Sequence, residues 1–181
     1  MSNVFDRKAA ANYAMAWALM YNPEWPIVQG SDCTNFISQA LHAGGWPMID
    51  NGRAPSDHCS WYCYGSARSY SWGGAQPFAS YLQASARGAK CQKSELELGD
   101  IVQLLDQSGS AHHSMIVTMI DPETSEYYLS YHTKHVLNKP LSAIAPQDYD
   151  GITYWKIKDH IPKPPSLSRQ EASLRWKRGQ F

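Results

Sequence analysis

The sequence predicts an α+β domain in which helices come first and an antiparallel sheet follows. Three observations lead there. The N-terminal part carries apolar residues at helical spacing, most clearly Cys33, Phe36, Ile37, Ala40 and Leu41. After Gly99-Asp100 the apolar segments become short, β-branched or aromatic, and are separated by turn residues. Of the 181 residues, 43% are apolar and 12% aromatic, which excludes a disordered chain. A chain of this size can bury a core without metal or disulfide support.

The elements follow in order. Asp6 is the expected N-cap of a first helix running to about Tyr21, where Asn22-Pro23 stops it. Tyr13, Trp17 and Met20 recur at helical spacing and should form its buried face. A second helix begins near Asp32 and ends at Gly44-Gly45, a pair suited to a C-terminal cap. Residues 46–74 show no clear periodicity and are rich in Ser, Gly, Trp and Tyr. A third, shorter helix is expected over residues 76–86. Strands are expected over Ile101–Leu105 and residues 114–120, 127–132 and 152–157. There is no internal repeat.

Composition narrows the function classes. Sixteen Lys and Arg balance sixteen Asp and Glu, and only 18% of residues are charged. That argues against a nucleic-acid partner bound through overall charge. No apolar run approaches the roughly 20 residues that cross a bilayer, so no integral membrane segment is expected. Residues 1–11 include Asp6, Arg7 and Lys8 and lack a hydrophobic core, so no secretory signal is expected. Charge is uneven along the chain. Residues 1–155, the expected domain, hold nine basic and fourteen acidic side chains; residues 156–181 hold seven basic and two acidic. Pro162, Pro164 and Pro165 favour an extended start to this tail, and Leu167, Leu174 and Trp176 then sit among Arg169, Arg175, Lys177 and Arg178. The tail is read as a short helix folded back on an acidic body, with contact to a partner or anionic surface as the alternative.

The four cysteines, Cys33, Cys59, Cys63 and Cys91, are too few for a disulfide scaffold. Cys59 and Cys63 with His58 resemble half of a zinc site. The second paired motif is missing, so no metal is expected.

Chemistry gathers at Asp32-Cys33-Thr34-Asn35-Phe36. A cysteine in the first turn of a helix meets unpaired amides and the positive end of the helix dipole, which favour a thiolate. Asp32 opposes this electrostatically, so its expected work is capping. Taken alone, Cys33 reads first as one more small residue on a buried stripe. His112-His113-Ser114 opens one predicted strand and Tyr131-His132-Thr133 closes the next. Paired as a hairpin, these strands would bring His113 and His132 to one end of the sheet. One imidazole could then take the cysteine proton while the other orients it. Each histidine is otherwise an ordinary strand-end residue.

The decapeptide from Asp32 to Leu41, Asp-Cys-Thr-Asn-Phe-Ile-Ser-Gln-Ala-Leu, followed by Gly44-Gly45, resembles the motif of the amidase domain 6 family. That family looks like a branch of the NlpC/P60 superfamily of papain-like cysteine hydrolases. The resemblance continues through Tyr13-Ala14, Tyr21-Asn22-Pro23, Gly99-Asp100-Ile101-Val102-Gln103, His113-Ser114-Met115-Ile116-Val117 and Ser130-Tyr131-His132-Thr133, over roughly residues 6–145. It implies a papain-like fold, with the nucleophile helix packed on the antiparallel sheet. It also implies Cys33 as nucleophile, His113 as general base and His132 as the third polar residue. His112 is the rival base; His113 is preferred because Ser114 and an apolar run follow it directly. Asp32 matches the Asp-Cys pair of the superfamily. The Cys33 amide, with Gln29 by analogy, would hold an oxyanion. Asn35, Ser38 and Gln39 are expected to support the helix.

The aromatic loop offers Trp61 and Trp72 as candidate substrate-stacking residues, with ordinary packing as the alternative. The resemblance implies a cysteine-dependent amide hydrolase without metal or organic cofactor, and peptidoglycan peptides are the leading substrate. Cysteine precedes histidine along the chain, as in unpermuted papain-like hydrolases, which favours amide hydrolysis over lipid acyl transfer. The expected setting is a bacterial protein made in the cytoplasm. Delivery as an antibacterial effector, restrained by an immunity protein, is one course from there; a phage lysin or a cytoplasmic amidase is another. An acyltransferase or phospholipase and a catalytically inert binding module remain as alternative functions.

Overall fold

The computed structural model describes residues 4–28 and 30–160. Asp6 caps the first helix as its residue type requires, its carboxylate accepting the Ala9 N–H at 2.8 Å. This helix, α1, covers Arg7–Trp17 and ends earlier than the Asn22-Pro23 stop implies. Its buried face also differs from expectation. Ala10, Ala11 and Ala14 are buried, Tyr13 and Trp17 are half-buried, and Met20 is exposed. Small side chains win this face because the next helix approaches closely. A Cβ added at Gly44 would run into the Phe5 ring and the Ala10 Cβ, so the crossing requires glycine there.

That second helix, α2, covers Cys33–Ala43 and matches the predicted span. Every residue from Cys33 to Leu41 is buried, so the helix is enclosed on all sides rather than amphipathic. Its polar residues survive burial because each is bonded. Ser38 donates to the Trp72 carbonyl at 2.9 Å and accepts from Trp61 Nε1 at 3.1 Å. Asn35 donates to the Pro26 carbonyl and accepts from Trp72 Nε1. Gln39 accepts from the Tyr13 hydroxyl at 2.8 Å.

The stretch without periodicity, residues 46–74, folds through short pieces: the strands β1 (Cys63–Tyr64) and β2 (Ala67–Arg68) pair with each other, and α3 (Tyr70–Gly73) follows. The third predicted helix is present as α4, Ala75–Ala84. The remaining strands are β3 (Gly88–Cys91), β4 (Ile101–Leu105), β5 (Ala111–Ile120), β6 (Tyr127–Tyr131), β7 (Val136–Pro140) and β8 (Gly151–Ile157). They form one antiparallel sheet in the order β3-β8-β4-β5-β6-β7. The four predicted strands occupy its centre. The two edge strands carry little apolar signal, and β7 even holds Asn138 at φ 51° and ends in Pro140, which an edge tolerates.

Strand alternation divides the interior into two cores. Ile101, Ile116, Trp155 and Ile157 face the helices, packing with Phe36, Ile37 and Leu41. Val102, Leu104, Met115, Val117, Leu129 and Tyr131 face the other side, covered by Leu141 and Ile144. The result is an α+β domain with helices on one face of an antiparallel sheet. The tail helix expected beyond residue 160 lies outside the described residues, whereas β8 itself continues to Ile157.

The Gly99-Asp100 pair joins the two ends of the domain. The Asp100 side chain is fully buried; it accepts from Arg7 Nη1 at 2.7 Å and from the Ile157 and Glu97 N–H groups at 2.8 Å. Burial pushes this carboxyl upward, and the Arg7 hydrogen bond and charge pull it back. Arg7 also donates to the Leu98 and Ile157 carbonyls. Replacing Asp100 with Ala removes the buried partner of the Arg7 Nη1 group and leaves the Ile157 and Glu97 N–H groups without their acceptor, although Arg7 keeps Asp159 and its two carbonyls. A loss of about 3 kcal/mol is expected from urea unfolding midpoints. A loss below about 1 kcal/mol would show that the junction contributes little.

Candidate active site

Because α2 starts at Cys33, the thiol sits in the first turn, where helix amides have no intrahelical partner. Cys33 is only 3% exposed, yet it lines a cleft of about 380 Å³ together with His112, His113, Tyr131 and Lys134. His113 comes from β5, opposite Leu104 of β4. The register shifts between Leu104 and Leu105, so that Leu105 opposes Ala111 and His112 is the extra residue of a bulge. A bulge turns consecutive side chains toward one side, and both histidines reach the cleft.

The His113 ring packs edge-on against Tyr131, with centroids 4.9 Å apart. Burial, reinforced by the nearby charges of His112 and Lys134, lowers its pKa to about 4. His113 is therefore neutral at physiological pH, the form that accepts a proton.

Beneath the sulfur runs a line of buried polar side chains. Gln103 Nε2 donates to the Ser114 hydroxyl at 3.0 Å and to the Ala75 carbonyl at 2.9 Å. Trp155 Nε1 donates to Gln103 Oε1 at 2.8 Å and fixes the amide in that orientation. Ser114 lies 3.0 Å from the Thr34 hydroxyl, which lies 3.7 Å from the Cys33 sulfur. With Ser114 accepting from Gln103, its own proton is free for Thr34, and the Thr34 proton is free for sulfur. Three strands and α4 thus support the residue beside the thiol. Thr34, Gln103 and Ser114 are site residues beyond those that the sequence motifs single out. A glutamine inside the apolar run Ile-Val-Gln-Leu-Leu was the available signal.

Asp32 and His132 stand differently from expectation. Asp32 makes no side-chain cap on α2. Its Oδ1 accepts from the Val28 N–H at 2.9 Å and from Asn35 Nδ2 at 2.8 Å, and its Oδ2 lies 2.6 Å from His132 Nδ1. The reason is competition: a buried imidazole, a backbone N–H and a side-chain amide all converge on this carboxylate. His132 Nε2 donates to the Trp17 carbonyl at 2.9 Å, and the ring stacks on Phe36 with centroids 4.0 Å apart. Both ring nitrogens are thus occupied, one by Asp32 and the other by the Trp17 carbonyl. His132 therefore has no free ring nitrogen to offer His113, and the hairpin brings the two residues to one end of the sheet without joining them.

Other predicted positions separate clearly. Trp61 and Trp72 are fully buried, with ring centroids 4.7 Å apart, and belong to the helix-side core instead of lining the cleft. Packing claims them because α2 presents bonding partners to both indole N–H groups. Gln29 lies outside the described residues. Cys59 is exposed and Cys63 buried, with its thiol 3.7 Å from the Gly65 carbonyl.

A cysteine at a helix start and a neutral histidine on one cleft define a thiol–imidazole site on an α+β scaffold. The chain belongs to the family described as "Putative amidase domain", whose model matches residues 4–156. Among curated proteins it is 31% identical over 169 residues to the uncharacterized protein YhbB of Bacillus subtilis (strain 168), covering 90% of this chain and 48% of that protein. It is also 31% identical over 145 residues to the uncharacterized protein YjcM of the same strain, covering 73% of this chain and 32% of that protein. The chain thus spans about half or less of the length of these relatives. No solved structure matches it.

Two measurements follow from this geometry. Asp32→Ala strands His132 between a carbonyl and a cavity, and should lower stability by about 3 kcal/mol in denaturant unfolding. An unchanged midpoint would mean that the pair contributes nothing. The His113 ring should titrate near pH 4 by NMR. Its proton affinity is lower folded than unfolded, so stability is present above about pH 6.5 and declines as pH falls toward 4. His113→Gln should flatten the stability profile across that window; an unaltered slope would contradict the burial argument.

Proposed function

We propose that the protein is a cysteine-dependent amide hydrolase of papain-like mechanism. The observation that supports this most is that Cys33 and neutral His113 line one cleft. Membership of an amidase family agrees with it. In this reading His113 takes the Cys33 proton as the sulfur attacks the amide carbonyl. The oxyanion is held by backbone N–H groups at the start of α2, including that of Cys33. The C–N bond then breaks and the leaving amine takes the proton back from His113. Water, deprotonated by His113, opens the thioester, releasing the acid and restoring the thiol.

His113 is a weak base, so the proton moves during attack rather than resting on the imidazole beforehand. Asp32 and His132 act as positioning residues. Gln103, Ser114 and Thr34 position the turn carrying Cys33 and offer the sulfur a hydrogen bond. The proposed substrates are amides within peptidoglycan stem peptides or their cross-links, a choice resting on the NlpC/P60 resemblance. The proposed setting is a delivered antibacterial effector, acting in a target-cell periplasm and restrained by an immunity protein.

Brief, limiting iodoacetamide should label Cys33 ahead of Cys59, Cys63 and Cys91, as read by mass spectrometry of peptides. Preferential labelling of another cysteine in the folded protein would overturn the assignment of the nucleophile. Cys33→Ala and His113→Ala should each lower kcat/KM for muropeptides by at least about 1000-fold, and their combination should be little worse. Loss of activity in His112→Ala, with His113→Ala still active, would transfer the base to His112. Intact muropeptides beside rapid fatty-acid release from phospholipid would replace the amide by a lipid ester.

A further inference from the structure

The wall of the cleft beyond the two histidines carries a charge pattern that the chemistry above does not use. Lys134 and Lys139 both line it, and among the described residues Asp148 is the one carboxylate in the lining. Among the described residues neither ammonium is part of an ion pair. Lys139 is half-buried on β7, and Lys134 lies in the turn between β6 and β7. Around them Leu104, Val136 and Ile144 make the cleft partly apolar. Lys134 is exposed and Lys139 half-buried, so this wall presents two positive charges that an anionic ligand complements.

We propose that Lys134 and Lys139 form a carboxylate subsite beside Cys33, so that preferred substrates are amides bearing a free carboxylate near the reacting carbonyl. The location of the carboxylate relative to the scissile bond rests on Cys33 being the nucleophile. A carboxylate is favoured over phosphate because Asp148 shares the cleft. Its charge penalises a dianion more than a monoanion. The apolar lining likewise suits a carboxylate carried on an aliphatic or peptide body.

The subsite also bears on the base. Burial is the main cause of the low proton affinity of His113, and the charges of His112 and Lys134 add to it. A carboxylate seated on Lys134 cancels the lysine contribution. Lys134 is the smallest of the three causes, so His113 becomes only a slightly better base when a substrate of the right charge is present, and burial still sets its low proton affinity.

Binding is read on full-length Cys33→Ala, which cannot turn substrate over, with two matched pairs of probes. N-acetyl-alanyl-alanine is compared with its C-terminal amide, which tests a chain-end carboxylate. N-acetyl-alanyl-glutamate amide is compared with the glutamine analogue, which tests a side-chain carboxylate. The acidic member of at least one pair should bind at least about tenfold more tightly, as a charge-assisted hydrogen bond provides. Adding Lys134→Gln and Lys139→Gln should abolish that preference while circular dichroism and the melting temperature stay unchanged. Equal binding within both pairs, including no measurable binding of any probe, overturns the subsite. So does a preference that survives the lysine changes. Inorganic phosphate competing as strongly as N-acetyl-alanyl-alanine overturns the choice of carboxylate. The two readings fail separately. Carboxylate binding without hydrolysis by the wild type leaves the subsite standing and removes the hydrolase, whereas hydrolysis indifferent to substrate charge does the reverse.

Discussion

The Asp32 carboxylate holds together the parts of the molecule that make the site. One oxygen takes the Val28 N–H and the Asn35 amide, and the other faces His132. Those contacts fix the loop entering α2, the first turn of α2 and the end of β6 against one another. His132 extends the connection to α1 through the Trp17 carbonyl. A carboxyl group this buried is tolerated when its oxygens are occupied, and here both are. The same pairing resolves an electrostatic conflict. A bare carboxylate next to Cys33 would repel a sulfur anion, but Asp32 is hydrogen-bonded to a ring on its far side.

The two faces of the sheet divide the labour. Ser114 points toward α2 and supports the turn bearing the thiol, while His113, one residue earlier, looks into the cleft on the other side. Ordinary strand alternation separates these two neighbours, the bulge at His112 brings a second histidine to the cleft, and a further register shift follows between Val117 and Met119. The Gln103 amide is held between Trp155 and Ala75, so Ser114 has one arrangement open to it. A hydrogen-bonded line of this kind is rigid because each member has its partners assigned. The cleft side is built the opposite way, with partly apolar walls, a neutral histidine and two lysines that make no ion pair among the described residues. One side holds the nucleophile still, and the other remains open to a ligand.

Much of this organisation is legible from residue order. The spacing of Cys33, Phe36, Ile37, Ala40 and Leu41 marks α2, Gly44 marks its end, and the β-branched runs mark the four central strands. Those signals are local, because burial of one helix stripe or one strand face imposes its period directly on the chain. The edge strands β3 and β7 have no such period, since an edge is recruited by its neighbour's open hydrogen bonds. The alanine face of α1 was hidden for a related reason: its large aromatics satisfy the helical period, but the close crossing at Gly44 admits only small side chains.

The sequence by itself determined the class of the fold, the helix that begins at Cys33 and the two histidine-bearing strands that meet at one end of the sheet. Tertiary structure decided what the polar residues do. Whether Asp32 caps a helix or pairs with a histidine 100 positions away depends on which donors reach it first in space. The same holds for His132, whose nitrogens are taken by Asp32 and Trp17, and for Trp61 and Trp72, whose indoles are taken by α2. Apolar burial follows a period along the chain. Hydrogen-bond partnership has no period and is settled only when distant segments are brought within 3 Å of one another.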